Sequence, residues 1–420
     1  MIAQATILDD LSAIVGGKHA YPADESQRFA VDGMTPQAVV EPGSYEEVAA
    51  VMRYVSEEGL AVIPLGGGTK RHIGNLPARY DLALSLSRLN QIIEHEPADL
   101  TVTCQTGISV PELQRRLDIH GQKVPLDGWL PEQPSVGGVL AANANGPSRP
   151  AYGALRDFTI GMRVVTADGR ITRAGGKVVK NVAGFDLCKL YIGSLGTLGV
   201  IVEATFKVMP VARLQRSVLL SLDTPGDACA LAADLYRRGL ALSHVQLSGA
   251  GDEAEYSWLL EIGVAGSEGA VERSENEVAG LAPGLNAQPA GSDVSSTDPF
   301  SGEHFDDSSL LCRFSTPPSR LAAFIGDVQG LESPVVLAEP VTGVVRAAWP
   351  ETDGAMVLER AREIAARHSA TVVVERCSPE LKQRIDVFGD PPPAFELMRR
   401  VKEQFDPKGI LNPGRFVGRL

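Results

Sequence analysis

One run of the chain carries the strongest chemical signal: Ile63-Pro64-Leu65-Gly66-Gly67-Gly68-Thr69-Lys70-Arg71. Glycine has no Cβ, so three in a row let backbone N–H groups crowd inward on one anion. Thr69 adds a hydroxyl donor and Lys70 a positive charge, a set that suits a pyrophosphate. The run is neither a Walker loop nor a G-x-G-x-x-G fingerprint, because the glycines are contiguous and no helical pattern follows at once. A flexible surface loop is the plain alternative for a triple glycine standing alone.

It does not stand alone. Pro134-Ser135-Val136-Gly137-Gly138-Val139-Leu140-Ala141-Ala142-Asn143-Ala144-Asn145-Gly146 is almost all small residues, open to a flat ligand or to tight helix packing. A third glycine-dense piece contains Gly193-Ser194-Leu195-Gly196-Thr197-Leu198-Gly199-Val200-Ile201. Three such segments in one half-chain suit a long phosphate-bearing cofactor that touches backbone along its length.

The elements that must position these segments are readable from local pattern. Ser44 and Glu47 form a capping box, Val48, Val51, Met52 and Val55 recur at helical spacing, and Gly59 ends the helix. Residues 60–64 then read as a strand running into the glycine loop. Residues 81–85 and 100–105 also read as strands. Ser109 and Glu112 form a second capping box, and Asp168-Gly169 between apolar runs marks a hairpin.

At 420 residues two domains are the default. The formal charge of −13 disfavours a nucleic-acid or anionic-membrane partner. The start of the chain shows no signal-peptide pattern, and no apolar run is long enough to span a bilayer. Five widely spaced cysteines argue against a disulfide framework and against an iron–sulfur or other metal site in this chain. A cytoplasmic location fits best.

The glycine loop, Ser135-x-Gly137-Gly138-x-x-Ala141-x-Asn143, Tyr152-Gly153 with Arg156-Asp157, and Gly196-Thr197-Leu198-Gly199-Val200-Ile201 together resemble the vanillyl-alcohol-oxidase (PCMH) type of FAD-binding domain. The closing Phe405-Asp406-Pro407-Lys408-Gly409-Ile410-Leu411-Asn412-Pro413-Gly414-Arg415 resembles the C-terminal signature of its hydroxy-acid branch. The segment from Val179-Lys180-Asn181-Val182-Ala183-Gly184-Phe185-Asp186 to Lys189-Leu190 is similar to a narrower group, the FAD-binding E subunits of bacterial glycolate oxidase. The resemblance implies FAD contacts at Leu65, Gly66, Gly67, Gly68, Thr69, Lys70, Ser135, Gly137, Gly138, Ala141, Asn145, Gly199 and Ile201. Some relatives attach FAD through a histidine inside the glycine loop; Gly68-Thr69 stand there in this chain, so a non-covalent flavin is expected.

The second half reads as strand–helix–strand–strand–helix twice, over 217–281 and 310–368, with a polar stretch at 283–309 between the passes. That repeat suggests a duplicated ferredoxin-like module. The expected fold class is α+β: a two-lobed FAD-binding domain at 1–212, a ferredoxin-like duplicated cap at 213–393, and a C-terminal helix and tail at 394–420 returning to the FAD domain.

Oxidising a 2-hydroxy acid needs a cation for the carboxylate, a base for the hydroxyl proton, and the flavin beside the α-carbon. Arg346 and Arg376, on cap strands, are candidates for the first because a guanidinium fork pairs bidentately with carboxylate; a surface charge or structural ion pair is the plainer role. His72 and His244 are candidates for the base, though an isolated histidine is more often structural. Catalytic hydroxy-acid members of the family carry two cap histidines around a Gly-Asp-Gly-Asn turn that binds a metal, and this chain has no such segment. The E subunits share that lack. The resemblance therefore implies work in a complex with a catalytic FAD subunit and an iron–sulfur subunit, acting on a small 2-hydroxy acid and meeting the inner membrane only through the complex. A self-sufficient dehydrogenase using the cap arginines and a histidine, and a scaffold with structural FAD, are the alternatives.

Overall fold

The computed structural model describes residues 4–23, 28–127, 133–176, 185–251, 257–285, 287–289, 309–349 and 354–420. The chain divides into two compact units: residues 1–145, 154–211 and 390–420 form the first, and residues 146–153 and 212–389 the second. The short piece 146–153, read above as part of the FAD domain, clusters with the second unit.

Two sheets build the first unit. In the smaller, the strands run in the order Ala20–Pro22, Ala38–Val40, Leu82–Ser85, Val62–Leu65, and the last three are parallel. The helix Tyr45–Glu58 packs on it. Ser44 Oγ accepts from Glu47 N at 3.1 Å, and Glu47 Oε2 accepts from Gly43 N at 2.7 Å. Val48, Val51, Met52 and Val55 are buried on one face, each contributing roughly 1.5–3 kcal/mol. Gly59, at φ 65°, ends the helix and donates to Val55 O. The helix Gln4–Val15, not read from the sequence, sends Ile7, Leu11 and Val15 into the same core.

The larger sheet is antiparallel, in the order Ile92–Glu96, Thr101–Gln105, Val200–Lys207, Thr159–Val165, Ile171–Gly175. The expected hairpin forms, with Gly169 at φ 76° in its turn. Helices Val110–Asp118 and Val136–Ala142 contribute Leu113, Leu117, Val139 and Leu140 to a core shared with Cys104, Phe158 and Phe206. Each capping box is only half present: Glu47 reaches Gly43 N and not Ser44 N, and in the second Ser109 Oγ accepts from Glu112 N at 3.3 Å while the Glu112 carboxylate pairs with Arg115 and Arg116.

The second unit is an eight-stranded sheet whose order explains the repeat. Strands Gln288–Pro289, Leu214–Leu222, Ser257–Gly266 and Leu242–Ala250 are neighbours in that order, which is 4-1-3-2 by position within the first pass. Strands Val335–Glu339, Val344–Trp349, Leu310–Ser315 and Thr371–Arg376 follow as 2-3-1-4. Two ferredoxin-like modules thus join through their second strands, with Leu247 opposite Ala338. Trp258, Phe314, Phe324 and Trp349 fill the core with residues of helices Pro225–Arg237, Glu268–Leu281, Leu321–Gln329 and Gly354–Arg367. Most of the polar stretch 283–309, and residues 179–184 of the narrower resemblance, lie outside the described residues. Among the described residues no helix is long and apolar enough to cross a membrane.

Candidate cofactor site

The glycine loop leaves the end of strand Val62–Leu65 and is pressed against the start of helix Val136–Ala142. A Cβ on Gly66 would fall 1.8 Å from Ser135 Oγ, and one on Gly67 only 2.4 Å from Gln133 O. Gly68 has φ 71°, a region that side chains disfavour. Ser135 caps the helix, accepting from Gly138 N at 3.2 Å. Gly137 packs on Thr106, and a Cβ on Gly199 would meet Val164 Cγ1 at 2.6 Å. Several of these glycines are therefore needed for segments of the chain to approach one another, as well as for lining a cavity.

Arg71 fixes the outer side of the loop. Its Nε donates to Gly68 O at 3.0 Å and its Nη1 to Arg28 O and Ala30 O at 2.8 Å each. The third small-residue segment is tied to the helix by Gly193 N to Leu140 O at 2.9 Å and Leu195 N to Ala141 O at 3.0 Å. Thr106 Oγ1 donates to Ile201 O at 2.6 Å.

The tail forms another wall. Val62 N donates to Ile410 O and Asn412 N to Val62 O, so residues 410–412 run beside the strand that feeds the loop. Arg415, buried, pairs through Nη1 with Asp32 at 2.7 Å and reaches Arg71 O and Ile73 O through Nη2. Burial pushes the Arg415 pKa down from its ordinary value, and Asp32 opposes that shift.

These walls enclose three adjoining cavities that share Leu65, Gly66 and Ser135. The largest, about 480 Å³, also takes in Gly67 and Gly68. A second, about 90 Å³, adds Thr69, Lys70, Gly138, Ala141, Asn412 and Arg415. A third, about 60 Å³, adds Gly137, Gly199 and Ile201. A series of linked cavities is what an elongated dinucleotide requires, and the largest is of the size ordinary ligand sites have. Every expected cofactor residue lines one of the three except Asn145. That side chain instead holds its own loop, donating to Asn143 and accepting from Leu155 N at 2.8 Å.

Asn412, Arg415 and Arg71 were missed by sequence reasoning as site residues. The signal available for the first two was the closing motif, already noted but not connected to the cavity.

The expected catalytic residues are not brought together at this site. His72 is half-buried in the first unit and lines none of the three cavities. The other three belong to the second unit. Arg346 is buried and already paired: its Nε lies 3.0 Å from Glu375 Oε2 and its Nη1 3.8 Å from Glu339 Oε1. Arg313 Nε holds the other oxygen of Glu375 at 3.1 Å. The structural ion pair describes Arg346 here. Arg376 has a buried Nε without a hydrogen-bond partner. His244 Nε2 lies 3.2 Å from Glu261 Oε1, which also accepts from Ser217 Oγ at 3.2 Å. The hydrogen bond from His244 is the main cause holding the Glu261 pKa below its ordinary value.

The α+β unit with small-residue loops lining adjoining cavities has the fold of the PCMH-type FAD-binding oxidases. Residues 36–175 match the FAD binding domain family, and residues 390–416 match the C-terminal domain of FAD linked oxidases. Both matched families are named for FAD, and the cofactor is FAD. Glycolate oxidase subunit GlcD of Bacillus subtilis (strain 168) is 32% identical over 227 residues, which is 54% of this chain and 47% of that protein. The chain thus spans about half the length of that relative. A D-lactate dehydrogenase of Archaeoglobus fulgidus is 26% identical over 98% of this chain and 99% of its own length. The 4-ethylphenol oxidase of Gulosibacter chungangensis shares the fold, with a TM-score of 0.74 at 16% identity, over 98% of this chain and 96% of that one.

Proposed function

We propose that this chain holds FAD non-covalently and serves in the oxidation of a small 2-hydroxy acid to the 2-oxo acid, glycolate to glyoxylate being the leading case. Bound FAD supplies a two-electron acceptor. The chain's own contribution is the cradle: glycines at 66–68 that bring backbone close, Thr69 and Lys70 beside them, and a tail that closes the wall. The observation that carries the reading is the pairing of this cavity with similarity to a glycolate oxidase subunit and a D-lactate dehydrogenase.

Within that reading the chain is an FAD-binding subunit of a complex with a catalytic flavoprotein subunit and an iron–sulfur subunit, and it passes electrons through its flavin to a partner. The commitment of Arg346 to Glu375 and Glu339 supports this, because a cation already neutralised is a poor clamp for a substrate carboxylate. The second reading, a self-sufficient dehydrogenase, is favoured by the A. fulgidus relative, which aligns with nearly the whole chain.

The chain purified alone separates the readings. It should be yellow, and acid precipitation should release the flavin into the supernatant. If glycolate and D-lactate leave its spectrum unchanged under anaerobic conditions, and glycolate bleaches it once the proposed partners are added, the subunit reading stands. Bleaching by either acid in the isolated chain favours the second reading. Flavin that stays oxidised even in the complex indicates a structural cofactor. A folded, colourless chain that takes up no FAD rejects the proposal.

A further inference from the structure

A cavity of about 510 Å³ lies elsewhere in the first unit, larger than any of the three at the cofactor site, and it shares no lining residue with them. It sits where the turn after helix Phe395–Phe405 meets the last turn of helix Tyr45–Glu58 and the hairpin turn at 166–170. Its walls are mainly apolar: Ala167, Leu187, Tyr191, Phe405, Pro407 and Ile410. The rings of Tyr191 and Phe405 stand edge to face, with 5.9 Å between centroids.

The charges around this cavity do not cancel. Asp406 is neutralised by Lys402 at 2.6 Å, and Asp168 by Arg170 Nε at 2.6 Å. Lys408 remains, and among the described residues no carboxylate pairs with it. Its Nζ donates to Ser56 O at 2.6 Å, a carbonyl in the last turn of helix Tyr45–Glu58. Ser56 lines the cavity too, so this bond holds the ammonium at the cavity wall, where Lys408 is exposed. An ammonium carries three N–H donors, and the helix end uses one.

These features select a ligand. An aromatic and aliphatic chamber of ordinary ligand size favours an apolar body. One cation without a counter-charge, with two donors to spare, favours a single negative charge that only accepts hydrogen bonds. A carboxylate meets both conditions, whereas a phosphate monoester carries about −1.5 to −2 near neutrality and an amide carries no charge. We propose that this chamber binds a small apolar monocarboxylate, whose ring or alkyl body lies against Phe405 and Leu187 and whose carboxylate pairs with Lys408. Glycolate and lactate lack such a body, so the site is separate from that of the proposed reaction and does not depend on it.

Calorimetric titration of the full chain with 2-naphthoate, and with the neutral 2-naphthamide, tests the site. One naphthoate should bind per chain, about tenfold more tightly than the amide, the size of a hydrogen bond between charged groups. Lys408→Met should erase that preference and leave amide binding unchanged. No saturable naphthoate binding up to about 1 mM, the weak end of ligand affinity, overturns the proposal, as does a Lys408→Met chain that keeps the preference. If the variant does not fold, the unaltered chain decides: naphthoate should slow trypsin cleavage after Lys408, and an unchanged rate overturns the proposal. Naphthoate affinity should be the same with and without FAD, and its loss on adding FAD would put the ligand in the cofactor cavities and overturn the proposal. A chain that binds naphthoate as expected and takes up no FAD rejects the proposed function alone, so the two failures are distinguishable.

Discussion

Lys402 Nζ lies 2.6 Å from Asp406 Oδ2, one helical turn further on, and both residues are buried. The same Nζ donates to Thr197 O and Leu411 O at 2.9 Å each, while Asp406 accepts from Ile410 N at 3.0 Å and Leu411 N at 2.8 Å. Burial pushes the Lys402 pKa down, and the Asp406 carboxylate opposes that shift. This pair fastens the turn after helix Phe395–Phe405 to the third small-residue segment.

Removing the cation should therefore damage the first unit. Lys402→Met leaves Asp406 buried with no opposite charge, and a loss of about 3–5 kcal/mol is expected. Urea unfolding of the apo chain measures it. A midpoint equal to wild type would mean the pair contributes nothing.

Gly67→Ala should lose FAD and melt at a lower temperature, even though the new side chain is uncharged. Its Cβ would come within 2.4 Å of Gln133 O, so the loop must move. Gly17→Ala is the control, since a Cβ there meets nothing within 4 Å, and it should stay within about 0.5 kcal/mol of wild type. Full flavin content in Gly67→Ala would refute the observed loop packing.

In the second unit, Arg346→Leu should destabilise more than Arg313→Leu. Arg346 is nearly closed off between Glu339 and Glu375, whereas the Arg313 side chain is 34% exposed and its pairing is screened by water. Thermal melts of the two variants give the order directly. An Arg346→Leu chain of normal stability that responds only in substrate binding would restore the carboxylate-clamp role.

Glu261 gives a pH dependence with a definite sign. Its folded pKa lies below the ordinary 4.5, so its carboxylate contributes stability that is fully present above that value and fades as pH falls through the folded pKa. The melting-temperature gap between wild type and Glu261→Gln should be wide near neutrality and shrink below pH 4.5. A gap that widens on acidification contradicts the assignment.

What the sequence made readable is what depends on near neighbours. Ser44, Glu47 and Gly59 bound their helix through contacts only three or four residues away, and the glycine loop and the repeated strand–helix pattern are equally local. The reciprocal bond from Glu112 was misread because Arg115 and Arg116 compete for its carboxylate on the same helix face. Ile92–Glu96 was missed because an edge strand with charged residues lacks a clean alternation. The double duty of Gly66, Gly67 and Gly137 depends on partners from other segments, which no local pattern contains. The same holds for Asn412, whose amide meets Leu195 217 residues away, and for Arg346, whose charge is met by Glu339 on the adjacent strand and Glu375 two strands over.

The first unit is interrupted in sequence: residues 212–389 are inserted between two of its parts. During synthesis, then, the ribosome makes the whole second unit before it supplies Asn412 and Arg415, and the nascent chain has an incomplete cofactor pocket until that late stage. A fragment cut after residue 211 would retain the glycine loop but lack one wall, whereas splicing residue 211 to residue 390 through a short linker would preserve every segment that lines it.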